Sequence, residues 1–88
     1  IPAHARILAL LHCRGPLDHV SLALDLGWTL RVGRAGGLHS RRLRQYLRAL
    51  ASPFGPPRER RRYVEMIPGR PPRYDLAGWL RARKEEER

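Results

Sequence analysis

Several absences narrow what this chain can be. It has one cysteine, Cys13, so no internal disulfide can brace it, which suits a reducing compartment. Nowhere does an apolar run approach the roughly 18 residues of a membrane span, and no charged-then-apolar signal segment opens the chain. The expectation is a cytoplasmic, nucleoid-associated protein with no membrane partner. Eighty-eight residues allow one domain with one modest core and leave little room for a deep catalytic pocket, so an enzyme is not expected. Position 1 is Ile rather than Met, which reads as a piece of a longer chain.

Acids are the scarcest resource, eight against eighteen lysines and arginines, and they are unevenly spread. In residues 1–30, Arg6 and Arg14 cancel Asp18 and Asp25. In residues 74–88, Arg81, Arg83, Lys84 and Arg88 cancel Asp75, Glu85, Glu86 and Glu87. The net +10 therefore resides wholly in residues 31–73, where twelve arginines face only Glu59 and Glu65. A GC-rich genome would favour arginine over lysine, but it would not leave both flanks neutral. A charge confined in this way points to a polyanion, and nucleic acid is the first candidate.

The hydrophobic fraction, 42%, suffices for a folded unit. Pro2 can open a helix, and Ala3, Ile7, Leu10 and Leu11 continue on one face until Gly15-Pro16. Cys13 falls on this helix and is expected as a small core residue. Asp18 is placed to cap a second helix over 18–26, Leu17 and Leu22 have the spacing of a hydrophobic staple, and Gly27 closes it. A strand signature competes there, since alternate residues from Val20 to Val32 are apolar. Leucine, alanine and the cap favour helix for 18–26; Trp28 to Val32 reads as extended.

Ser40 caps a third helix reaching about Ala51. Leu43, Tyr46, Leu47 and Leu50 form an apolar stripe at i, i+3, i+4, i+7. Arg41, Arg44, Gln45 and Arg48 form a second stripe about 200° around the helix. No acid occurs from Ser40 to Ser52, so this is not the mixed-sign face of an ordinary solvated helix. After a proline-rich turn at 52–57, residues 62–67 and 73–76 read as two strands of a hairpin with a basic, proline-stiffened tip. Trp79 and Leu80 suit a short last helix, and Lys84 to Arg88 reads as a charged tail outside a domain of residues 1–83.

This order, three helices and then a hairpin, resembles a winged helix-turn-helix domain. The likeness rests on the Asp18-to-Leu26 helix, the basic helix Arg41-to-Leu50 and the wing Arg62-to-Leu76. One departure is plain: thirteen residues separate Leu26 from Ser40, where the family has a turn of three or four. The resemblance implies an α+β, mainly helical fold with a three-helix core and a C-terminal two-stranded wing. It implies a double-stranded DNA-binding module of a transcription regulator or a replication or recombination protein, and by family habit a homodimer. No heptad or large apolar stripe demands the dimer.

In such a module the third helix enters the major groove, which makes Arg41, Arg44, Gln45 and Arg48 candidates for base contacts. Arginine pairs with guanine O6 and N7, and glutamine with adenine N6 and N7. Gly69-Arg70-Pro71 at the hairpin tip resembles the core of AT-hook peptides, so Arg70, with Arg73, is a candidate for the minor groove or backbone. Arg31, Arg34, Ser40, Arg42, Arg58, Arg60, Arg61 and Arg62 are candidates for phosphate contacts. Gly33 to Gly37 could present backbone N–H groups to a phosphate, but it lacks the lysine and hydroxyl of a nucleotide-binding loop.

Cys13 and the four histidines, His4, His12, His19 and His39, match no standard metal-ligand spacing, so neither metal nor another cofactor is expected. Among the aromatic residues, Tyr46 belongs to the apolar stripe, and Tyr63 is the best placed for an exposed ring. Two rival functions use the same basic surface: an RNA-binding module, and a protein-interaction winged helix that docks an acidic partner.

Overall fold

A computed structural model describes residues 2–86. It shows a small α+β domain with four helices and a small antiparallel sheet. The elements in chain order are α1 (Ala3–Arg14), β1 (Leu17–Asp18), α2 (His19–Leu26), β2 (Arg31–Val32), β3 (Leu38–His39), α3 (Arg41–Leu50), β4 (Val64–Ile67), β5 (Arg73–Leu76) and α4 (Gly78–Glu86). No helix is long and apolar enough to cross a membrane among the described residues.

The core is built as the apolar spacing requires. Ile7 and Leu11 come from α1, Leu22, Ala23 and Leu26 from α2, and Leu43, Leu47 and Leu50 from α3. Val64 and Leu76, directly paired across β4 and β5, close the cluster from the sheet. Gly27 ends α2 at φ 75°, a left-handed conformation that glycine adopts without a Cβ penalty. Asp18 stands at the N-cap of α2 in extended conformation but makes no side-chain cap hydrogen bond. Its main chain does other work: Leu17 and Asp18 pair with Tyr74 and Arg73, so the three-stranded sheet runs β1-β5-β4.

The structure differs from the sequence reading at four further places. Residues 28–32 do not form one strand: only Arg31–Val32 does, pairing with Leu38–His39 in a separate two-stranded hairpin. Cys13 is exposed rather than in the core, because α1 turns Ile7 and Leu11 inward and leaves position 13 on the outer side. Residues 52–62 form a closed loop rather than a simple turn: the Phe54 and Arg61 amides each donate to the other's carbonyl, at 2.8 and 2.9 Å.

The fourth difference is α4, which continues past residue 83 through Lys84 to Glu86. Leu80 packs on the core, and the Lys84 ammonium donates to the His12 carbonyl. Glu87 and Arg88, the end of the expected tail, lie outside the described residues. On the sheet, α4 also supplies Arg81, which lies 3.6 Å from Asp75 and 3.7 Å from Glu65. Those two acids are direct cross-strand partners, and a cation between them offsets their repulsion.

Candidate nucleic-acid interface

The third helix has the two faces its stripes require. Leu43, Leu47 and Leu50 are buried, Tyr46 is half-buried, and Arg41, Arg44, Gln45 and Arg48 are all exposed. Burying the leucines sets the azimuth of the helix, and the basic residues necessarily point outward. A groove of about 550 Å³ lies between α3 and the β4–β5 hairpin, lined by Leu38, Arg44, Leu47, Arg48, Met66 and Tyr74. Met66 and Tyr74 are cross-strand partners, two positions along from the buried Val64–Leu76 pair, so they share its face where the core gives out. Arg70 and Arg73 are exposed at the turn and the start of β5. The Arg70–Pro71 peptide is cis.

Ser40 leaves the set of candidates for phosphate contacts. It is 3% exposed, and its Oγ accepts the Leu43 N–H at 3.2 Å. The hydroxyl is spent on capping the helix. Its neighbour Arg42 projects on another side, with its guanidinium 4.1 Å from the centroid of the Trp28 ring. Beside it, Arg31, His39, Arg41 and Arg42 line a polar hollow at the start of α3.

Arg34 is exposed in the β2–β3 turn. Arg58, Arg60, Arg61 and Arg62 are exposed on the closed loop after α3. Arg61 lies 5.0 Å from the Trp79 centroid, and the Trp79 Nε1–H donates to the Arg62 carbonyl at 2.7 Å. Tyr63 is 38% exposed, as its position suggests, and Phe54 stacks against its ring at 4.6 Å with the planes 17° apart. Among the described residues, none of the twelve arginines of 31–73 forms an ion pair, whereas Arg14 pairs with Asp25 and Arg81 with Asp75 and Glu65. No cluster of histidine, cysteine or acid side chains that could hold a metal ion occurs among the described residues.

Comparison with protein-family models, with curated proteins and with solved structures finds no match.

One participant went unseen in the sequence. The backbone N–H of Ser40 donates to His19 Nε2 at 2.9 Å, which ties the start of α2 to the start of α3. As an acceptor, this nitrogen must be unprotonated, so the ring proton is on Nδ1. Burial lowers the His19 pKa below its ordinary 6.5, and the positive charge of Arg44 and the His39 ring add to the effect, while Asp18 opposes it. The folded state thus disfavours the proton that the unfolded chain accepts. The contribution of His19 to stability is complete above pH 6.5 and is lost as pH falls below it. Urea midpoints measured at about pH 7.5 and about pH 5.5 should therefore fall for the native chain. They should fall less for His19→Gln, which does not titrate; equal falls would remove this role for His19.

Proposed function

We propose that the chain is a winged helix-turn-helix module that binds double-stranded DNA, with α3 in the major groove and the β4–β5 hairpin on the minor groove or backbone. The observation that carries the reading is the exposed, acid-free row Arg41, Arg44, Gln45 and Arg48 on a helix whose opposite side is locked into the core. The order α1-β1-α2-β2-β3-α3-β4-β5, with β5 between β1 and β4, supports the fold assignment once the β2–β3 hairpin is taken as an insertion between α2 and α3. The hairpin whose turn and second strand carry Arg70 and Arg73 lies across a groove from the basic helix, which fits a wing and a recognition helix addressing neighbouring grooves.

Charge alone would serve DNA and RNA equally. Duplex DNA is favoured because the face is helical: a major groove in B-form DNA admits a helix, whereas the deep, narrow groove of A-form RNA does not. Titration of the chain with duplex DNA, duplex RNA and single strands separates these cases. Binding of none at moderate salt would leave an acidic protein as the partner.

The site itself is tested on a preferred duplex selected from random sequence, compared with random duplex. Arg44→Ala and Gln45→Ala should each reduce discrimination by roughly 1–3 kcal/mol, as expected when a bidentate base contact is lost. Arg60→Ala should weaken both duplexes about equally, because a phosphate contact carries no sequence information. Discrimination unchanged by Arg44→Ala would mean that α3 is not the reading element.

A further inference from the structure

The segment between α2 and α3 is longer than a helix-turn-helix needs, and it is not a slack linker. Arg31↔His39 and Val32↔Leu38 pair in register, and the turn is closed by Gly33 N–H to Gly37 O at 2.8 Å and Gly36 N–H to Gly33 O at 2.9 Å. Through Leu38 and His39 the hairpin borders the groove beside α3, and its apolar pair is open to solvent. Val32 is 70% exposed and Leu38 51%, and as direct cross-strand partners they present one apolar face. Arg31 and Arg34 are exposed on the same short ribbon, which carries no acid.

We propose that the β2–β3 hairpin is a second nucleic-acid-contacting arm, with Arg31 and Arg34 on backbone phosphates and the Val32–Leu38 face against the sugar edges of a groove. The inference rests on the duplex-binding reading above and adds a contact surface to it.

Three observations select this occupant. First, the charge is continuous: Arg31 shares a hollow with Arg41 and Arg42 at the start of α3, so a polyanion reaching the helix also meets the hairpin. Second, the arm is held to the helix. His39 ends β3, Ser40 caps α3, and the Ser40 N–H is bound by His19, so docking α3 also positions the hairpin. Third, the tip suits close approach to a backbone. Gly33, Gly36 and Gly37 add no side chains, and Gly36 sits at φ 82°. A two-stranded ribbon fits the DNA major groove, where apolar side chains contact thymine methyl groups, and in the minor groove apolar side chains beside arginines meet base steps.

Two measurements test the proposal. In the first, the double variant Arg31→Ala/Arg34→Ala is titrated with the preferred duplex over a range of salt. The log–log salt slope should become shallower by about 2, with affinity weaker on the order of tenfold at ~0.1 M salt. In the second, Ala35→Cys in a Cys13→Ser background carries an iron chelate that cleaves nearby sugars. Cleavage should fall at one discrete place bordering the bases that α3 protects.

An unchanged slope together with no cleavage from position 35, in a chain that still binds duplex and still loses discrimination on Arg44→Ala, overturns the arm alone. A native chain that binds no duplex overturns the arm and the reading beneath it. Circular dichroism of the variants guards against unfolding, which substitutions at these exposed positions should not cause.

Discussion

Leu43→Ala is expected to lower the free energy of unfolding by about 2–5 kcal/mol. Leu43 is 0% exposed in a cluster with Ile7, Leu11, Leu22 and Val64, so truncation leaves a cavity that neighbours from both the helices and the sheet must collapse to fill. Domains of this size have only about 5–15 kcal/mol in total, so this one change removes a large fraction of the stability. Leu24→Ala, at a position 65% exposed, should change it by no more than about 0.5 kcal/mol. Urea denaturation of the two variants checks the assignment, and equal losses would mean that the inner face of α3 has been misplaced.

The consequence reaches the interface. A ten-residue helix is marginal in isolation, and α3 carries like-charged arginines that repel one another along its outer face. Its basic row is displayed only because the leucines on the other side are buried. The Leu43→Ala variant should therefore lose nucleic-acid binding at a lower temperature than the native chain.

The second large effect is the response to salt. If several of the twelve arginines of residues 31–73 neutralise phosphates, log affinity should fall linearly with log salt, with a slope on the order of −4 to −8. Between about 50 and about 200 mM salt, affinity should then drop roughly 10²- to 10⁵-fold. The slope should stay below the full arginine count, since Arg42 and Arg61 rest on the Trp28 and Trp79 rings. Fluorescence anisotropy over a salt series measures the slope directly. A flat response would remove nucleic acid as the partner.

Much of this architecture is written locally. The α3 stripes are legible because one turn of helix brings i, i+3 and i+4 together, and a serine precedes the run to cap it. The β4–β5 hairpin is legible because Pro68-Gly69 ends the first strand and Pro71-Pro72 precede the second, leaving a short turn between them. The basic surface is legible because the arginines of 31–73 are too numerous and too little balanced by acids to be neutralised within their own segment.

Periodicity, punctuation and the location of charge are therefore local properties of the chain. Which partners meet across long separations is set by packing. Leu17–Asp18 is too short to read as a strand and becomes one because Arg73–Tyr74 lies beside it. His19 has no local mark of its role, since the amide it caps is 21 residues away. Residues 28–39 show alternation, glycines and arginines at once, and the pairing of Val32 with Leu38 resolved them into a hairpin. For Leu17–Asp18 and His19 the deciding energy is a contact between distant segments, formed only once the core has closed, and no pattern confined to neighbouring residues can encode it.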